Sequence, residues 1–147
     1  MKKILLFITL TLLVSCSFNQ TFSNRESDKD EAQKVSEKFY WELQYGSNQD
    51  KMYELFSDQF FEITSREKLN QLNIDTQNHS GIIKQNDLVK WETLVVKGSD
   101  AKSQYLLIYN VARESGMTEE TFSMLKKDGI IKIVGYHINH IAKEEID

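Results

Sequence analysis

The chain reads as an α+β domain in which three N-terminal helices pack on a curved four-stranded antiparallel sheet. Three observations predict this class. Apolar residues recur at helical spacing as far as about residue 80, the period changes from 3.6 to 2 at Ile82, and short turn sequences separate four strand-like runs. The last turn is Asp128-Gly129, flanked by alternating runs. A two-residue type I′ hairpin needs positive φ at both central residues, and Asp-Gly supplies it at low steric cost.

The elements follow in order. The first helix begins near Asp28 or Asp30, with Glu31 three residues after Asp28 in a capping-box position. Ala32, Val35, Phe39 and Leu43 form its core stripe, and Gly46 ends it as a left-handed C-terminal residue. A second helix, capped by Ser47 or Asn48, presents Met52, Leu55 and Phe56 until Ser57-Asp58 interrupts it; Phe60 and Phe61 then plug one end of the core. Thr64 and Glu67 make a capping box for a third helix carrying Leu69, Leu72 and Thr76 and ending at Ser80-Gly81. Strands cover 88–96, 105–113, 118–126 and 130–141. The turns between them fall at Gly98-Ser99-Asp100, Ser115-Gly116 and Asp128-Gly129. Connections this short imply an antiparallel meander.

The N-terminal segment has a different character. Lys2-Lys3, the mostly apolar run from Ile4 to Val14 and small Ser15 have the organisation of a signal peptide, and eleven apolar residues are too few to span a bilayer. Leu13-Val14-Ser15-Cys16 resembles a bacterial lipoprotein lipobox, which implies cleavage before Cys16 and lipidation of that residue, the only cysteine in the chain. The organisation expected is therefore a signal peptide over 1–15, a lipidated cysteine and flexible tether over 16–29, the α+β domain over 30–142 and a polar tail over 143–147. Such a protein is exported and held to the bacterial cell envelope, where Ser17 after the cysteine points to the outer membrane of a host that has two.

Charge and composition narrow the function. The net charge is −4, and loss of Lys2 and Lys3 with the leader leaves −6. Nucleic acid is excluded as a partner because no basic stripe is present, and the sequence offers no electrostatic reason to lie on anionic lipid. No cofactor motif, nucleophile elbow or metal-ligand spacing occurs. His137 and His140 lie three apart on one strand and so point to opposite faces, and His79 reads as a solvated helix end.

Counting outward from Asp128-Gly129 pairs Met124 with Ile133, Phe122 with Gly135 and Glu120 with His137. Glu120 and His137 are then the one candidate acid/base pair, able to move a proton inside a pocket; as a plain cross-strand contact the pair would be structural. The strand over 105–113 is apolar on both faces. Tyr105, Leu107, Tyr109 and Val111 point one way, and Leu106, Ile108 and Ala112 the other. Something must cover the second face: strong curvature, a returning helix, a second copy of the chain or an envelope protein.

Glu120, Phe122, Met124, Asp128-Gly129, Lys132, Ile133 and Gly135-Tyr136 resemble the C-terminal signature of a family of small exported bacterial domains of unknown function. That family lies within the nuclear transport factor 2-like, or cystatin-like, superfamily. The resemblance implies a cone-shaped fold and supplies no catalytic residues. Because such cones commonly enclose an apolar cavity, Trp91, Tyr105, Tyr109 and Phe122 are candidates to line a pocket for a small apolar ligand. The reading reached is a membrane-anchored binding domain for a protein partner or a small apolar ligand, with an isomerase- or lyase-like enzyme using Glu120 and His137 as the alternative.

Overall fold

A computed structural model describes residues 19–98 and 101–141. Cys16 and the expected signal peptide lie outside the described residues. The element order is β1 (Gln20–Ser23), α1 (Glu26–Tyr45), α2 (Gln49–Tyr53), α3 (Asp58–Ile63), α4 (Arg66–Ser80), β2 (Ile83–Lys97), β3 (Lys102–Arg113), β4 (Met117–Lys127) and β5 (Ile130–Ile141). The strands form one antiparallel sheet in the order β1-β2-β3-β4-β5.

The expected cone of three helices on a four-stranded sheet is therefore corrected, among the described residues, to four helices and five strands. The extra strand, β1, falls inside the stretch read as a flexible tether. Its four residues, Gln-Thr-Phe-Ser, are too few and too polar for periodicity to register. Pairing with Leu94 to Lys97 decides its conformation, and Phe22 lies beneath the Arg25 guanidinium, 4.1 Å from its ring centroid. The extra helix arises because Ser57-Asp58 interrupts one helix by starting another. The Ser57 hydroxyl accepts from the Phe60 amide as the N-cap of α3.

Helix ends depart from expectation in instructive ways. α1 begins at Glu26, two residues earlier than the first predicted start, and Asp28 accepts two hydrogen bonds from the Arg25 guanidinium at 2.7 Å. The N-cap of α4 is Ser65, not Thr64, with its hydroxyl accepting from the Lys68 amide. Gly46 ends α1 in extended conformation rather than left-handed; a Cβ there would lie 2.3 Å from the Glu42 carbonyl oxygen, so space and not φ requires glycine. Gly81 ends α4 at the expected position, with φ of 80° and ψ of −175°, a backbone conformation that favours glycine.

Alternation on β3 holds as predicted. Tyr105, Leu107, Tyr109 and Val111 are buried, while Leu106, Ile108 and Ala112 on the outer face are partly exposed. The helices pack on the inner face. Phe39 of α1, with no exposed surface, contacts the rings of Tyr40, Phe56, Phe122 and Tyr136 at centroid distances of 5.0–5.9 Å. A second tie between the layers is the hydrogen bond of 2.7 Å between the Ser36 and Tyr109 hydroxyls.

The closing hairpin forms as predicted, with φ of 52° at Asp128 and 80° at Gly129. Its register agrees with counting from Lys127↔Ile130 to Met124↔Ile133 and then shifts. A β-bulge at Val134 places Ser123 opposite Gly135, Phe122 opposite Tyr136 and Glu120 opposite Ile138. The bulge follows the point where the α2–α3 connection pairs with the β5 edge. There the Ile133 amide donates to the Leu55 carbonyl and the Ser57 amide to the Ile133 carbonyl, both at 2.9 Å. One inserted residue turns the remainder of β5 over, bringing Tyr136 to the core side in place of His137.

Candidate functional site

The bulge decides what chemistry Glu120 can take part in. Glu120 and His137 do not meet. Glu120 has no exposed surface, whereas His137 is exposed opposite Thr121, with Nε2 2.8 Å from the Asn139 side-chain oxygen. The acid/base pair read from the hairpin is corrected accordingly.

Side chains from four elements converge on Glu120 instead. Arg113 at the end of β3 donates from Nη2 to its Oε1 at 2.7 Å, and Thr118 on β4 donates to the same oxygen at 2.9 Å. The hydroxyls of Tyr136 on β5 and Tyr40 on α1 donate to Oε2 at 2.6 and 3.1 Å. The remaining Arg113 contacts run to the Thr118 hydroxyl at 3.2 Å and to the Gly81 carbonyl, after α4, at 3.3 Å. The Arg113 and Glu120 side chains are 4% and 0% exposed, so this is a desolvated ion pair held by hydrogen bonds on both partners.

This environment pushes phenol ionisation upward. Burial raises the Tyr40 and Tyr136 hydroxyls well above their ordinary range, and the neighbouring Glu120 carboxylate reinforces the shift. Burial likewise pushes Tyr109 up to about 12, against a smaller opposing effect of its hydrogen bond to Ser36. Above pH about 10 the unfolded chain releases phenolic protons that the fold retains, so stability falls as pH rises from there toward the folded values. The midpoint of urea denaturation should therefore decline from about pH 10 upward, and Tyr40→Phe and Tyr136→Phe should each flatten the decline. A urea midpoint that stays level from about pH 10 upward would contradict this.

The aromatic pocket candidates have separate fates. Tyr109 and Phe122 are interior residues, 5.8 Å apart between ring centroids, and fill the space between α1 and the sheet. Trp91 is partly buried, with Lys29 Nζ 5.7 Å from its ring centroid. Tyr105 is buried near the start of β3 and borders two surface grooves. They do not line a common cavity, because the apolar interior is occupied by side chains.

One groove lies on the outer face of the sheet, with a volume of about 640 Å³. Leu94, Leu106, Leu125 and Val134 contribute its apolar floor; Ser23, Asn24, Glu92, Gln104 and Ser123 contribute polar groups around it. Strand residues and Asn24 make up its lining, and no described helix crosses it. Tyr109 points away from this groove, into the core.

At the far end of the sheet His79 and His140, distant in sequence, come into contact with ring centroids 4.6 Å apart. The Ser80 hydroxyl lies 3.1 Å from His140 Nδ1, and a cleft of about 330 Å³ opens beside them. The bulge that turned His137 outward is what turned His140 toward α4. Among the described residues no group of three His, Cys, Asp or Glu side chains is arranged to hold a metal ion, and no helix is long and apolar enough to cross a membrane. Compared with protein-family models, curated proteins and solved structures, the chain matches none.

Proposed function

We propose that this chain is an exported lipoprotein, held in the bacterial envelope through acylated Cys16, whose folded domain binds a second envelope protein on the outer face of its sheet. The observation that carries the binding reading is the groove over Leu94, Leu106, Leu125 and Val134. An apolar floor with polar groups around it has the anatomy of a protein interface, and an open groove suits side chains of a partner better than a sequestered small molecule. The leader and Leu13-Val14-Ser15-Cys16 support the anchor. The likeness of the 120–136 segment to small exported bacterial domains agrees with it.

Leu106→Glu puts a charge into the groove floor from an outward-pointing position, so the domain should still fold while the contact is lost. In crosslinking on intact cells, the wild-type chain should give a discrete adduct with another protein that is absent with Leu106→Glu. An adduct of two copies of this chain would replace the partner by a homodimer, and an adduct unaffected by the substitution would overturn the assignment of this face. Separately, Cys16→Ser should release the protein from the membrane fraction; retention there would overturn the anchor.

A further inference from the structure

We infer that the end of the domain from which the chain leads back to Cys16 is a docking surface for anionic phospholipid headgroups, an inference that rests on the lipid anchor proposed above. β1 begins at Gln20 beside Lys97, so the chain leaves the fold at the end of the sheet formed by the end of β2, the start of β3 and the β4–β5 turn. A groove of about 660 Å³ at this end is lined by Arg25, Lys97, Lys102, Lys126 and Lys127, with Asp28, Glu31 and Asp128 as the acidic residues. Arg25 is spent on Asp28 at 2.7 Å and Lys126 on Glu31 at 2.6 Å. Lys97, Lys102 and Lys127 are exposed, and among the described residues they form no ion pair. The mature chain, −6 once Lys2 and Lys3 leave with the leader, thus gathers a cationic rim at one end.

Length and charge together select the occupant. Ser17, Phe18 and Asn19 are the residues between Cys16 and Gln20. Four steps of chain reach at most about 14 Å when fully extended. An acyl chain on Cys16 therefore holds this end of the domain near the headgroups, within a distance comparable to the Debye length of about 8–10 Å. Of the surfaces a cationic rim could meet, anionic lipid is the one the anchor delivers to it. Each net positive charge near such a surface contributes roughly a fivefold gain in association, so the three unpaired lysines less the acidic Asp128 contribute about 25-fold. The strands then stand upright on the bilayer, and the outer groove faces sideways, toward membrane-resident partners.

The test uses full-length protein purified from its own membrane, with acylation read by mass spectrometry, and reconstituted into vesicles. One set is phosphatidylcholine alone and the other contains phosphatidylglycerol as well. The readout is lysine reactivity toward a water-soluble acylating reagent, with Lys38 on α1 and Lys84 at the far end of the sheet as internal controls, both exposed. Lys97, Lys102 and Lys127 should be protected roughly tenfold on the anionic vesicles, with high salt removing the protection and the controls unchanged. Lys126 in the same groove should share the protection, and the variant Lys97→Glu/Lys102→Glu/Lys127→Glu should stay membrane-bound through its lipid while losing it there.

Acylated protein whose rim lysines react equally on both vesicles overturns the docking and leaves the anchor standing. Protein without an acyl chain overturns the anchor, and the docking with it. Equal protection by inorganic phosphate without vesicles would mean a free-anion site and would also overturn docking to the surface.

Discussion

Arg113→Met lowers the unfolding free energy by about 3–5 kcal/mol, because it leaves the Glu120 carboxylate buried without a counter-charge. The three hydroxyls of Thr118, Tyr40 and Tyr136 remain as donors, but they carry no charge and cannot offset removal of the carboxylate from water. Glu120→Gln is expected to cost a similar amount from the other side, leaving the Arg113 guanidinium uncompensated. It also presents an amide donor to groups that are themselves donors. Combining the two should cost less than the sum, since the second removal relieves the charge orphaned by the first. Urea denaturation at neutral pH, with an unchanged dependence on denaturant, measures all three. Losses below about 1 kcal/mol would mean that water reaches the pair, as it does for surface ion pairs. The network ties α1, β3, β4, β5 and the turn after α4, so its disruption should loosen the fit of these elements as well as lower stability.

Phe39→Ala is the second large effect, about 3–5 kcal/mol, from lost burial and from the cavity left among rings that cannot all close in. Phe39 is the ring at which α1 meets the α2–α3 connection, β4 and β5, with Phe56, Phe122 and Tyr136 around it. Against a total stability of about 5–15 kcal/mol for a domain, either substitution removes a large fraction. For Phe39→Ala the expected fall in melting temperature is roughly 10–20 °C. Phe39→Leu keeps most of the volume and should cost less than half as much. If Phe39→Ala were nearly neutral, α1 would have to be free to settle onto the sheet, contrary to the hydrogen bond between Ser36 and Tyr109 that holds it. Because Phe39 and Glu120 share Tyr40 and Tyr136 as neighbours, Phe39→Ala and Arg113→Met should not be additive.

Much of this architecture was legible from local pattern. The stripe of Ala32 and Phe39 faces the core, the two faces of β3 alternate as spaced, and Asp128-Gly129 makes the expected hairpin. Each depends on residues within one or two turns of each other. The site was legible only in part. Glu120 stood out as a carboxylate at the end of an apolar face, but its partners come from four separate elements. The signals for Arg113 and Tyr136 were present, a charge at the end of a buried strand and an aromatic next to Gly135, yet nothing in their spacing linked them. The same holds for Lys97, Lys102 and Lys127, which look dispersed along the chain and meet because two turns and β1 share one end of the sheet.

The chain's own order of residues therefore set the periods, the turns and which face of each early strand is apolar, since these follow from backbone sterics and from side-chain spacing along a single element. Tertiary structure decided the rest. Whether Gln20–Ser23 is strand or linker depended on the free edge of β2, and which of His137 and Tyr136 faces the core depended on one bulged residue beside the α2–α3 connection. A period of two carries no memory of an inserted residue, so a single local irregularity, stabilised by contacts far away in sequence, reverses every side chain beyond it.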